Sequence, residues 1–155
     1  MKKITLVFLL VFVLVANSCN SYTIEYENPI ACNNIGNNMG LYVYKGFPDK
    51  KYSGSCYEYS SDGLKTELKS FTKGIPHGVH LGFHYPEETV SYRGYKRKGE
   101  IHGQYIRYHK NGKINMKGKF KKGYYSGEWD YFNEEGDLVE RKTYFQGIES
   151  KNEKF

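Results

Sequence analysis

Three histidines stand close together in this chain, His77, His80 and His84, and their spacing invites a metal reading. On an extended strand His77 points away from the other two. His80 and His84 share a side but stand about 13 Å apart at ~3.3 Å per residue. One strand cannot chelate an ion with that geometry, and His77 and His102 both sit just before a glycine. A turn residue is the simpler account, and no metal or cofactor is expected. The acids offer a second chemistry: Glu87-Glu88, Glu134-Glu135 and Asp130 could supply paired carboxylates to a glycosidic bond. All but Asp130 fall at expected turns, where solvated charge belongs. The chain has no G-x-S-x-G nucleophile and no phosphate-cradling glycine loop. A carbohydrate-active enzyme is therefore the weakest reading, and a non-catalytic protein the expected one.

Three cysteines speak to compartment. Residues 1–18 read MKKITLVFLLVFVLVANS, with Lys2 and Lys3 ahead of a run that is almost wholly apolar from Ile4 to Ala16. As a helix that run rises only about 20 Å, too short for a ~30 Å hydrocarbon core, so it reads as a cleaved secretory signal peptide. Ala16-Asn17-Ser18 ahead of Cys19 resembles the lipobox of bacterial lipoproteins, which implies a lipid on Cys19 and a membrane anchor. Plain secretion is the alternative. Cys32 and Cys56 then remain as an even pair in an oxidising compartment. A bond between them is one reading and two free thiols the other, because spacing alone does not bring sulfurs together.

The 155 residues carry 23 Lys+Arg against 17 Asp+Glu, a net +6 that falls to about +4 when the leader leaves. That is modest, and no basic run with groove-reading chemistry is present, so nucleic acid is not an expected partner. Aromatic residues make up 17% of the chain, yet it holds only two alanines, Ala16 and Ala31. Helical folds lean on Ala and Leu while strands favour Tyr, Phe, Ile, Thr and Val. The composition excludes a helix bundle and a Rossmann-type enzyme, and its aromatic content argues against disorder.

Residues 19–50 read as an N-terminal linker with short strands at 22–26 and 41–44. From 51 to 149 a unit of two dozen residues recurs four times. Opening glycines fall at Gly54, Gly78, Gly103 and Gly127, and closing glycines at Gly74, Gly99, Gly123 and Gly147. Central turn glycines fall at Gly63, Gly112 and Gly136, and Glu87 stands in that place in the second unit. Asp62-Gly63 and Asn111-Gly112 suit the φ > 0 positions of tight hairpins. Each unit parses as strand, turn, strand, turn, so the expected fold is all-β: an elongated antiparallel meander of four tandem β-hairpins in one twisted sheet, with 150–155 as a tail. One residue more in the second unit predicts a β-bulge near Arg93-Gly94. A single unit should not fold alone.

Alternation assigns the faces. The main buried face is expected to hold Tyr57, Tyr59, Leu81, Phe83, Ile106, Tyr108, Asp130 and Phe132, joined by Phe71, Met116, Phe120 and Tyr144. The remaining face carries Cys56, His80, Tyr105, Arg107, Trp129 and Tyr131, with Lys113, Lys117, Lys119 and Lys121. Exposed Trp and Tyr beside Arg and Lys suit contact with a protein, a glycan or a lipid surface. The alternative is that Tyr105 and Trp129 pack within the repeat.

The stretches KKYSGSCYEYSSDGLKTELKSFTKGIPHG, HGQYIRYHKNGKINMKGKFKKG and SGEWDYFNEEGDLVERKTYFQG resemble the MORN-repeat variant family of bacterial proteins. The resemblance spans residues 50–149. It implies β-hairpins stacked into a twisted sheet and a binding or scaffold role. Many members are described as YwqK-type antitoxins, which implies a second function: an antitoxin or immunity protein that neutralises a partner toxin. The expected protein is an extracytoplasmic one of the bacterial cell envelope, lipid-anchored or else secreted or periplasmic.

Overall fold

Turn chemistry decides this architecture. The computed structural model describes residues 29–155, so the leader, the junction at Cys19 and the strand expected at 22–26 lie outside the described residues. The chain forms β1 (Ile30–Ala31), a 3-10 turn (Cys32–Asn34), β2 (Ile35–Asn38), β3 (Leu41–Tyr44), β4 (Phe47–Lys51), β5 (Gly54–Tyr59), β6 (Lys65–Thr72) and β7 (Ile75–Phe83). It continues with β8 (Val90–Arg97), β9 (Glu100–Ile101), β10 (Gly103–Tyr108), β11 (Ile114–Lys121), β12 (Tyr124–Phe132), β13 (Leu138–Phe145) and β14 (Ile148–Lys154). The protein is all-β, and no helix among the described residues is long and apolar enough to cross a membrane.

The larger sheet runs β1-β5-β6-β7-β8-β10-β11-β12-β13-β14, with β9 beside β8. From β5 onward neighbours pair antiparallel, but β1 pairs parallel to β5, so the sheet is mixed. A second sheet, β2-β3-β4, stands apart from it. These features correct the expectation of one antiparallel sheet. Met39-Gly40 supplies a tight turn that folds the Asn/Gly-rich stretch into a small sheet of its own. Tyr42 of that sheet then donates its N–H to Gly74 O, and Gly74 donates to Tyr52 O, at 2.8 and 2.7 Å. A Cβ on Gly74 would stand 2.7 Å from Tyr42 O, and its φ is +78°, so only glycine fits there. Residues read from the sequence as a tail belong to β14, which pairs with β13 and adds an edge to the sheet.

Two kinds of turn alternate. Lys73-Gly74, Lys98-Gly99, Lys122-Gly123 and Gln146-Gly147 each place two consecutive residues at positive φ, near +50° and then +78° to +89°. That is the two-residue hairpin whose twist matches its strands. The expectation put this geometry at Asp62-Gly63 and Asn111-Gly112, but only the glycine has positive φ there. In these longer loops Ser60, His109 and Asn133 donate their N–H to Leu64, Lys113 and Asp137, and one left-handed glycine closes the path. Between β7 and β8 Glu88, at φ +53°, takes that place instead of Glu87. All eleven glycines singled out above have positive φ, although Gly54, Gly78, Gly103 and Gly127 lie in strands rather than turns.

Ladder slips fall at Glu58/Tyr59, Gly82/Phe83, Arg107/Tyr108 and Tyr131/Phe132. The β7–β8 slip is thus at Gly82/Phe83, not at Arg93-Gly94. Backbone bonds also stitch one edge: Gly99 donates to Pro76 O, Gly123 to Ile101 O and Gly147 to Tyr125 O, at 2.8, 2.9 and 3.0 Å. At the opposite edge side chains reach the neighbouring loop. Tyr85 donates to Asp62 at 2.8 Å, Asn111 to Glu134 O at 2.9 Å and Lys113 to Glu135 O at 2.8 Å.

Candidate functional site

Register fixes which side chains meet. One row across the sheet reads Tyr57, Leu68, Leu81, Arg93, Ile106, Lys117, Asp130, Arg141. The adjacent row reads Glu58, Glu67, Gly82, Tyr92, Arg107, Met116, Tyr131, Glu140. Directly opposed residues share a face, so the two rows mark two faces. Tyr105, opposite Gly118, belongs with the second row, and Lys117 and Lys119 with the first. The expected union of aromatics and lysines on one surface is therefore corrected. Met116 and Phe120 likewise share the face of Tyr105 rather than that of Ile106.

The aromatic face is packed, not open. Tyr92 stacks on Tyr105 at 5.9 Å, Tyr105 meets Phe120 and Trp129 at 5.4 and 6.0 Å, and Tyr125 touches Trp129 at 4.4 Å and Tyr144 at 5.0 Å. Trp129 and Cys56 are both 0% exposed. Trp129 is thus a core residue and not a binding surface, which corrects its place in the expected face. Its Nε1 has no hydrogen-bond partner, a condition that typically costs about 1–3 kcal/mol. Burial holds the hydroxyls of Tyr105 and Tyr131 above the ordinary tyrosine range. Of the four expected binding residues only Arg107 is exposed, while Tyr105 and Tyr131 are half-buried.

Glycines make this packing fit. A Cβ on Gly82 would lie 2.1 Å from Tyr92 Cε1, one on Gly94 3.0 Å from Tyr105, and one on Gly118 2.2 Å from Trp129 Cδ2. Each ring covers a residue that lacks a side chain. The sequence reading attended to turn glycines and missed these three. Their signal was present, since glycine inside a strand marks a close approach.

Toward β5 the same face turns polar. Lys69 Nζ lies 2.5 Å from Glu58 and 3.0 Å from Glu67, and Tyr92 donates to Glu67 at 2.7 Å. His80 Nε2 sits 3.2 Å from the Tyr92 hydroxyl and 3.6 Å from Glu67. Burial would raise the Glu67 carboxyl, but the bonds from Tyr92 and Lys69 outweigh it and hold the group below its usual range. Burial, with the nearby Lys96 ammonium, holds His80 below the usual imidazole value. The three histidines do not converge: His77 meets the Tyr95 hydroxyl at 3.0 Å and His84 the Tyr108 carbonyl at 3.2 Å. No group of three metal-ligating side chains occurs among the described residues. The acids singled out in the sequence do not converge on one another. Asp130 is 2.6 Å from Arg141, Glu87 is 3.3 Å from Lys110, and Glu88 accepts the Lys65 N–H.

The other face buries Leu68 near β5 but carries open troughs farther along. Val79, Arg93, Tyr95, His102, Gln104 and Ile106 line a groove of about 380 Å³. Gln104 also borders a second trough of about 390 Å³, with Lys117, Lys119, Ser126, Glu128 and Asp130. Arg141 holds both acids, Asp130 at 2.6 Å and Glu128 at 3.6 Å, and Lys117 approaches Asp130 at 3.9 Å. Arg93 and Lys119 make no ion pair among the described residues. The two troughs together offer unneutralised cations, an exposed amide and the edge of the Tyr95 ring, a lining suited to an anionic or hydroxyl-rich chain.

Cys32 and Cys56 are joined, with a Cα–Cα distance of 4.9 Å. Their bond lies in a cluster of Tyr52, Cys56 and Phe71, against which Ile30, Ile35, Tyr42 and Tyr44 pack. It thereby fastens the short segment before β2 onto β5. Cys19 lies outside the described residues. No protein-family model matches this chain, and no curated protein matches it.

Proposed function

We propose that this protein is a non-catalytic scaffold of the bacterial cell envelope, tethered through Cys19, which holds an acidic surface polymer in the groove that crosses β7 to β12. In this reading residues 51–149 are four hairpin units of a MORN-variant kind, forming an elongated twisted meander. Support comes from the alternation of two turn types, from ladder slips that recur at one place in each hairpin, and from loop-to-loop bonds between residues 22–25 apart. The observation that carries the binding role is the pair of troughs meeting at Gln104, with Arg93 and Lys119 unpaired at its two sides. A glycan bearing carboxylates fits such a lining better than a neutral one, because it neutralises both cations.

The test uses the full mature chain with alginate and dextran as acidic and neutral probes. Binding to alginate, weakening with salt and reduced in Arg93→Gln and Lys119→Gln, is the expected result. Equal binding to both polymers, or none to either, refutes the reading. Binding to anionic vesicles alone would make the partner a lipid surface. Mass spectrometry of the mature N-terminus, with Cys19→Ser as control, tests the tether.

A further inference from the structure

On the aromatic face three glycines are each roofed by a ring, but Gly78 is not. A Cβ built there meets only the Ser70 side chain. Gly78 stands directly opposite Lys96 in the ladder, and Lys69 opposite His80. Close by, between β3, β6, β7 and β8, lies a cavity of about 60 Å³. A single water needs roughly 10–15 Å³ by such a measure, so the space holds a few waters or one small oxyanion.

We propose that this cavity, with Tyr42, Lys69, Ser70, His80 and Lys96 in its wall, is a binding site for a small oxyanion, a carboxylate or a phosphoryl group. The inference is independent of the polymer reading, since the groove lies on the other face. Three features favour an anion. Lys96 makes no ion pair among the described residues, whereas Lys69 is shared between Glu58 and Glu67. His80 is engaged through Nε2 by Glu67 and Tyr92, which leaves Nδ1 without a bond among the described residues. Ser70 Oγ, 2.9 Å from Ser55 Oγ, brings a hydroxyl to the same wall. An ion seated there takes hydrogen bonds from Lys96 and Ser70, and from His80 Nδ1 once the ring is protonated, and it separates two groups that otherwise repel in that state.

Binding should therefore tighten as pH falls. The charged and titratable groups facing His80 are Glu67 and Lys69 on β6, Tyr92 and Lys96 on β8, Tyr42 on β3 and, through Lys69, Glu58 on β5. Glu67 stays ionised across the range, so with acetate, itself largely ionised throughout, the change on acidification comes from His80.

The experiment titrates acetate, inorganic phosphate and glycerol phosphate into the oxidised mature chain at pH 5.5 and 7.5, following the His80 ring signals by NMR. Movement of those signals, saturation at millimolar anion, tighter acetate binding at pH 5.5, and a loss of about tenfold in Lys96→Met are expected. Lys98→Met, in the exposed turn, should bind as wild type. His80→Gln should bind acetate with no pH dependence. Similar affinity for acetate and phosphate identifies a free carboxylate or phosphate; preference for glycerol phosphate identifies a headgroup or polymer phosphodiester as the source. Unmoved His80 signals at saturation, or equal losses in Lys96→Met and Lys98→Met, overturn the proposal. Should Lys96→Met not fold, Ser70→Ala is read in its place.

Discussion

Replacing Gly118 by alanine should damage a sheet that alanine would ordinarily improve. In a strand interior glycine costs about 0.5–1 kcal/mol relative to alanine, so an unobstructed site gains from the change. At Gly118 the new Cβ falls 2.2 Å from Trp129 Cδ2 and 2.5 Å from Cε2. Ordinary contact begins near 3.4 Å, so the ring must retreat by more than an ångström. It has nowhere to go. Trp129 is 0% exposed, and Tyr105, Phe120 and Tyr125 stand with ring centres 6.0, 4.9 and 4.4 Å away. Overpacking of this kind costs about 1–3 kcal/mol, equivalent to a melting temperature lower by roughly 3–10 °C in a chain of this size. Urea unfolding followed by far-ultraviolet circular dichroism reads the loss. Gly36→Ala, inside β2 where nothing lies within 4 Å and φ is not positive, is the control and should gain about 0.5–1 kcal/mol. The double mutant isolates the cause. In a Trp129→Leu background the added methyl should cost little, giving a coupling of about 1 kcal/mol or more. Additive effects would mean that Gly118 is needed for some reason other than the ring above it.

Reducing the protein, or replacing Cys32 and Cys56 by serine in a Cys19→Ser background, should lower stability by about 3 kcal/mol, the chain-entropy value for a loop of this sequence separation. Two titratable thiols in the unreduced protein would refute the pairing. Stability in phosphate-free buffer should fall from pH 7 towards pH 4. His80 and Glu67 both titrate lower in the folded state than in the unfolded one, so the unfolded chain binds protons first on acidification. His80→Gln should flatten the upper part of that curve and Glu67→Gln the lower part; urea midpoints across pH that do not differ from wild type would contradict this. Trp129 is the chain's single tryptophan, so native fluorescence should be blue-shifted and poorly quenched by iodide. Emission at the wavelength of free tryptophan would place the ring outside the core.

Much of the strand order was legible because glycine punctuates the chain and aromatic residues fill the intervals. The faces were not. A residue's side follows from its partner across the ladder, and the Tyr105–Gly118 register puts Lys117 and Lys119 behind the sheet rather than beside Trp129. Slips such as Arg107/Tyr108 also reset alternation part-way along a strand, so counting from the opening glycine loses the phase. The small sheet was hidden for a different reason. Its strands are four or five residues long; Leu41–Tyr44 was legible, but Phe47–Lys51 is exposed throughout, so no hydrophobic alternation announces the sheet. The open groove runs past Gly94, Gly103, Gly118 and Gly127, and it becomes visible, like the cavity beside His80 and Lys96, only once neighbouring strands are aligned.

The crosslink between Cys32 and Cys56 sits at one end of the molecule, and Phe155, largely exposed, lies at the other. A pull entering from the N-terminal side meets only the two-residue β1–β5 ladder before a covalent bond to β5 takes the load. The far end has no such clasp: β14 is held by β13 alone. Mechanical wear should thus begin at the C-terminus and peel inward strand by strand, leaving the crosslinked end intact longest.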